Sequence, residues 1–499
     1  MSYIDIPQEI TYKEMLENGC GFSSNAYKRL LIKNKNCKDL RELLDRALMR
    51  SDLGCEVGSF SYIQDSPFKF MRSKALQEHS LLPQITSEST LSIMPQNFIN
   101  MDLKKGDVII SKDSNIGEVA ILEKDYPNTM LSSAMYKLPL SKNKFYILSF
   151  MKHRLFKEQL DFIVPKGATI RHAKQLFLNC KIPFPNHNKE KTIFFIESLT
   201  KSIIKKEALI KQRHNEILTL IETELKNNQK DKKFIYNYPT FKELQEKNRL
   251  DAGLYSKEFK EWNFIVKNYK YGSKNLIDRG FTYARGTSLE KNFIGNRLDS
   301  DIFKKGYYEL LIPTNITQFG TISKTTFIGT KAQLKTIKKG DIIFGSEATF
   351  VSCVIIDDSH NIATNYHGVR LINTNNDFIE SIFIRCFLEF WRVKRIFNFI
   401  SVGGQGGHCA PSYFRLIETP LFPLNLQEKI AKLYHNKEAK LEKLTLDNFN
   451  NKDSAFCLNA GIYELDKSIK HFKRILNIAL DKIIEDAPLD IDTLLNLES

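Results

Sequence analysis

The sequence predicts an α+β protein: two tandem mixed α/β domains, each followed by long helices that pair as an antiparallel coiled coil. Three observations carry this. Short motifs recur at a nearly constant offset, Gly-Asp turns launch β-branched runs, and heptad-spaced apolar residues follow each copy.

The recurrence defines the domains. Leu103-Lys104-Lys105-Gly106-Asp107-Val108-Ile109-Ile110 returns 234 residues later as Ile337-Lys338-Lys339-Gly340-Asp341-Ile342-Ile343-Phe344. Gly21-Phe22-Ser23 resembles Gly253-Leu254-Tyr255-Ser256, and Pro183-Phe184-Pro185 echoes Pro420-Leu421-Phe422-Pro423. A fourth pair, Ile93-Met94-Pro95-Gln96-Asn97 with Leu311-Ile312-Pro313-Thr314-Asn315, has an offset of only 218. It calls for a longer loop before the second Gly-Asp turn. One match would be chance, but four in one order indicate a duplicated domain of about 185 residues. The expected boundaries are 1–185, a helical region 186–235, a second copy 236–423 and a second helical region 424–499 with an acidic tail.

Within each copy, glycine supplies the positive φ of a turn and Ile/Val fit a buried pleated face, so each Gly-Asp opens a strand. The paired lysines read as solvated flanks. From Ile193 to Leu225 there is neither Gly nor Pro, and Ile196, Ile203, Ile210 and Ile217 fall seven apart. That is a helix roughly 50 Å long with a coiled-coil seam, interrupted by Lys206 and Arg213. After the second copy a shorter helix is expected over 425–446, then a polar separator around Asn448–Asp453. A firm helix follows over 458–483, with Ile462, Ile469, Leu476 and Ile483 in one seam position and Leu458, Leu465, Phe472 and Ala479 in the other. Two apolar seams are most economically buried against each other.

Composition bounds the function. The 499 residues, 42% hydrophobic and 26% charged, exclude wholesale disorder. The stretch Phe378–Trp391 is broken by Glu380, Arg385 and Glu389, so no membrane span is expected, and MSYIDIPQEI has no export signature. A cytoplasmic protein is the expectation. Its eight scattered cysteines include no Cys-x-x-Cys pair, which favours reduced, packed thiols and no metal site. Lys and Arg number 73 against 58 Asp and Glu, a net charge of +15. The last 16 residues hold five acids and no base, so the rest carries +20. That balance favours a polyanionic partner.

Catalytic signatures are missing. There is no phosphate-binding Gly-x-x-x-x-Gly-Lys-Ser/Thr loop, and Asn237-Tyr238-Pro239-Thr240 lacks the second proline of an amino-methyltransferase loop. Asp251 with Glu258-Phe259-Lys260 fits a metal nuclease only as letters. Gly403-Gly404-Gln405-Gly406-Gly407-His408 lacks phosphate-loop spacing and aligns with Pro165-Lys166-Gly167-Ala168-Thr169; a tight turn and a close approach to a ligand are equally good readings.

Taken together, these features resemble the DNA-specificity subunit of type I restriction-modification systems. The resemblance is carried by the Lys-Lys-Gly-Asp strands, Ile116-Gly117, Gly167-Ala168-Thr169-Ile170 and Ile182-Pro183-Phe184-Pro185. In the second copy it is carried by Gly404-Gln405 and Pro420-Leu421-Phe422-Pro423. The second copy departs from it at Gly345-Ser346-Glu347-Ala348-Thr349-Phe350, which lacks the Ile-Gly. The resemblance implies a non-catalytic subunit of a phage-defence complex. It would read a split, asymmetric site in double-stranded DNA and dock two methyltransferase subunits and translocating restriction subunits, with no membrane partner. Cofactors are implied only in the partners: S-adenosylmethionine for methylation, ATP and Mg for restriction.

The expected DNA-contacting residues are Lys112, Ser114, Asn115, Lys166, Arg171 and His172 in the first copy. In the second they are Ser346, Thr349, Asn365, Tyr366, His367, Gln405 and His408. The alternatives are a specificity subunit of a type II methylase-nuclease and a coiled-coil scaffold without DNA specificity.

Overall fold

The computed structural model describes residues 3–17, 20, 27–164, 172–230, 232–357, 361–403 and 407–497. The chain divides into two units. One comprises 1–208, 441–458 and 467–499, and the other 209–440 and 459–466. Helices and sheets are mixed in both.

In the first unit, Gly106 adopts φ +90° and the Asp107 carboxylate accepts the Lys104 N–H at 2.8 Å. This turn launches Val108–Ser111, the middle strand of an antiparallel sheet with Val119–Ile121 and Met135–Leu138 on either side. A second sheet has the order Thr90–Ser92, Lys69–Met71, Thr129–Leu131, the last pair parallel. Met71, Leu103, Ile109, Ala120, Leu131 and Met135 form the core of this copy. Helices Lys144–Lys152 and Arg154–Ile163 follow, and Lys181–Pro183 pairs with Cys37–Asp39 to close it.

The second unit repeats this plan. Gly340 has φ +87°, and Asp341 accepts the Lys338 N–H at 2.7 Å. Ile342–Gly345 lies between Ser352–Val354 and Gly368–Asn373, with Phe281–Arg285 added at the edge. Its second sheet has five strands, in the order Leu298–Ser300, Thr326–Gly329, Tyr308–Leu310, Ile362–Ala363, Thr336–Ile337. Tyr308–Leu310 runs parallel to Ile362–Ala363, and the Glu309 N–H reaches Asn361 O at 2.9 Å as Lys69 reaches Asn128 O at 2.8 Å. Helix Phe378–Val393 follows, and Glu418–Pro420 pairs with Ser273–Asn275.

This register corrects one repeat match. Pro313–Asn315 follows the strand equivalent to Lys69–Met71, whereas Pro95–Asn97 follows the neighbouring strand Thr90–Ser92. The first-copy counterpart of Pro313–Asn315 is Ser73–Ala75, an offset that agrees with the rest. The odd offset of 218 belongs to a coincidental likeness. Gly21-Phe22-Ser23 lies outside the described residues.

Lys189–Asn227 is one unbroken helix of 39 residues. Its first half belongs to the first unit and packs there against helix Ile462–Ile484. Asn34 Nδ2 donates to both Phe184 O and Ile483 O, and Asn186 Nδ2 to Asp486, while farther along Glu207 pairs with Lys473 at 2.8 Å. The two helices therefore run antiparallel in this unit. Ile196, Ile203, Ile210, Ile217, Ile462, Ile469, Leu476 and Ile483 are all buried. Lys206 is buried among them, its ammonium on Asp453 and Ser202 and 4.1 Å from the Phe472 ring centre.

The second helical region departs from expectation in three ways. The helix after Pro423 ends at Tyr434, because Glu464 accepts from His435 Nδ1 and from the Asn436 N–H, while Asn436 Nδ2 donates to Asn459 O. The polar stretch around Asn448–Asp453 opens a helix, Phe449–Asn459, instead of separating two; Asn448 and Thr445 exchange side-chain-to-backbone hydrogen bonds at its start. Leu458 is 76% exposed and outside the seam, since Ala460-Gly461 breaks the helix and resets its phase. No helix among the described residues is long and apolar enough to cross a membrane.

Two predictions follow from buried charge. Lys206→Met leaves Asp453 without its cation and should cost about 3–5 kcal/mol in urea unfolding, most of it recovered in the double variant with Asp453→Leu. In the second unit, burial lowers the His214 pKa to about 4. The unfolded chain therefore takes up the proton first as pH falls. Stability should be full above about pH 6.5 and decline toward pH 4 by up to about 1.4 kcal/mol per pH unit. His214→Leu should lessen the drop in unfolding free energy between pH 7 and pH 5.

Candidate nucleic-acid interface

The tip of the middle hairpin in each copy gathers the expected polar residues. In the first copy it spans 112–118. Ser111 Oγ donates to Asp113 O at 2.7 Å, Ser114 adopts φ +62°, and Gly117 adopts φ +80°. A Cβ on Gly117 would lie 2.1 Å from Leu160 Cδ1, so only glycine fits. Ser114 and Asn115 are exposed at the tip. Lys112 is ion-paired with the neighbouring Asp113, whose other oxygen lies 2.7 Å from His172 Nδ1. A backbone bridge joins Asp113 and His172.

The second hairpin is one residue shorter. Ser111 N donates to Glu118 O in the first copy, and Gly345 N to Val351 O in the second. Without an Ile-Gly, the left-handed positions fall to Ala348 (φ +53°) and Phe350 (φ +49°), and the Phe350 ring is buried against Phe344 and Phe397. A backbone bridge joins Glu347 and His408, the counterpart of Asp113 and His172. Glu347 Oε1 lies 2.9 Å from His367 Nδ1 and 3.5 Å from His408 Nδ1. His408 Nε2 meets Arg285 Nη2 at 3.3 Å, and the Arg285 guanidinium stacks 4.5 Å from the Tyr366 ring centre. Arg285 Nη1 is buried with no partner among the described residues. Beside this group opens a cleft of about 660 Å³, lined by Phe293, Arg297, Asn365, Tyr366 and His367 among others.

The structure thus brings Lys112, Ser114, Asn115 and His172 together in one copy and Thr349, Tyr366, His367 and His408 in the other. Asn365 caps its own turn, Oδ1 accepting the Gly368 N–H at 3.2 Å. Ser346 is corrected: it is fully buried at the end of the middle strand, its hydroxyl donating to His367 O at 3.1 Å, and it braces the loop. Lys166, Arg171 and Gln405 lie outside the described residues.

Sequence reasoning passed over Asp113, Glu347 and Arg285. A signal for the two acids was present, since each stands six residues beyond the turn aspartate of its copy. Below the first hairpin, burial would raise the Glu118 pKa, but Lys152 and Lys157 hold it below the ordinary carboxylate value. Burial pushes Lys152 down to about 8. Glu78 and Asp161 join Glu118 and Lys157 in the cleft beside the first hairpin, which Ser114 and Asn115 of the tip also line.

Residues 68–219 match the family model described as Type I restriction modification DNA specificity domain. The match spans the first middle hairpin, His172 and most of the long helix. No curated protein matches the sequence. Solved structures similar to this chain include the S subunit of a Type-I restriction-modification system from M. genitalium. It is 13% identical, with 91% of this chain and 96% of that one covered and a TM-score of 0.35. The HsdS subunit from Thermoanaerobacter tengcongensis is 14% identical over 90% of this chain and 96% of that one, with a TM-score of 0.27. A chain from a study of complex assembly and conformational transition of the type I R-M system is 14% identical over 90% and 97%, also with a TM-score of 0.27.

Arg285→Ala removes the stacked guanidinium of the second copy. It should weaken sequence-specific DNA binding about tenfold or more in a fluorescence-anisotropy titration.

Proposed function

We propose that this chain is the DNA-specificity subunit of a type I restriction-modification system and does no chemistry itself. Each copy reads one half of a split, asymmetric site in double-stranded DNA through its middle hairpin and neighbouring loops. The helical segments set the spacing between half-sites and dock two methyltransferase subunits, which bring S-adenosylmethionine. Restriction subunits, using ATP and Mg, join that assembly. The observation that carries this reading is the family match over residues 68–219, which contains the hairpin that the second copy repeats. The excess of basic residues supports it, because phosphate neutralisation supplies much of any DNA affinity.

Methylated adenines should be mapped genome-wide with the gene intact and deleted. One split, asymmetric motif should vanish on deletion, and persistence of every motif would refute the proposal. With its methyltransferase bound, the chain's DNA affinity should fall at least about tenfold between 50 and 200 mM salt.

A further inference from the structure

We propose that His172 and His367 read bases as locked hydrogen-bond acceptors, so that each copy demands adenine or cytosine at one position of its half-site. This rests on the DNA-reading function proposed above and adds the chemistry of the base edge.

In each copy a carboxylate faces one ring nitrogen of an exposed histidine. Asp113 Oδ1 lies 2.7 Å from His172 Nδ1, and Glu347 Oε1 lies 2.9 Å from His367 Nδ1. An ionised carboxylate only accepts hydrogen bonds, so Nδ1 must carry the proton. In the neutral ring Nε2 is then left with its lone pair and can only accept. In the major groove the donors on base edges are the adenine N6 and cytosine N4 amino groups, whereas guanine and thymine offer acceptors there. An acceptor fixed in the protein therefore pairs with adenine or cytosine and faces lone pairs on guanine or thymine.

The surroundings fit this role. Both histidine side chains are more than half exposed, at 57% and 51%. Asp113 is also paired with Lys112, which offsets the cost of a carboxylate near phosphates. His408 is excluded as a reader, because its Nε2 is taken up by Arg285. The lock sits at the same hairpin position in both copies, although the second copy closes it on a histidine from a different loop. Asp113 and Glu347 are positioning residues that act through the ring.

The complex with its methyltransferase tests this, with the methylated motif determined for wild type, His172→Ala, Asp113→Asn, His367→Ala and Glu347→Gln. Wild type should show adenine or cytosine at the affected position of each half. His172→Ala should relax one position of one half, with discrimination of about tenfold falling to about twofold or less. The other half-site should be unchanged, which serves as the folding control within the same molecule. Asp113→Asn should go further. The amide can donate to Nδ1 and move the ring proton to Nε2, so guanine or thymine should enter at that position. His367→Ala and Glu347→Gln should do the same in the other half. An unchanged motif, or an equal loss of methylation at every sequence, overturns the inference while leaving the DNA-reading function intact. A wild-type complex with no motif at all overturns that function and the inference with it.

Discussion

Each half of this protein depends on one turn. Gly106 and Gly340 take backbone conformations that residues with a Cβ rarely adopt, and Asp107 and Asp341 tie the turn shut by accepting the N–H of a lysine three residues earlier. The turn fixes where the middle strand begins. Because side chains alternate along a strand, it thereby fixes which of them enter the core and where the hairpin tip falls. Six residues beyond the turn aspartate stands the acid that holds a histidine in each copy. Both faces of each middle strand are buried, so a one-residue slip would turn Ile109 and Ile343 away from the core clusters they pack in and move the acid off its partner.

The two copies keep this frame and differ around it. The second has a larger second sheet, an edge strand at Phe281–Arg285 where the first copy has a single bridge from Leu53 to Tyr136, and a shorter hairpin. Arg285 stands where the first copy has Leu53, so the stacked Tyr366–Arg285–His408 group has no counterpart among the described residues of the first copy. A shared frame with different rims fits the proposed reading function, in which the frame would carry stability and the rim specificity.

Much of this was legible in the sequence. The Gly-Asp turns and their strands follow from local chemistry that acts over a few residues, and the seam isoleucines follow from helical periodicity. What was missed depends on contacts distant in the chain. The helix after Pro423 stops at Tyr434 because Glu464, about thirty residues away, captures His435 and Asn436. Lys206 looked like an interruption of an apolar seam, but Asp453 supplies its charge partner from a separate helix. Ser346 looked like a surface polar residue, and its burial is decided by the loop carrying His367 folding over it. The likeness of Pro95 to Pro313 was one of letters, and only strand pairing shows that they occupy different places.

In the proposed function each copy reads its own half-site independently. The most direct measurement is the methylation motif of a chain in which residues 37–185 are replaced by residues 273–423, so that both positions carry the second copy. Independent reading predicts that the asymmetric motif becomes symmetric, with the second half-site present in both arms. A motif that stays asymmetric, in a chain that still directs methylation, would contradict it.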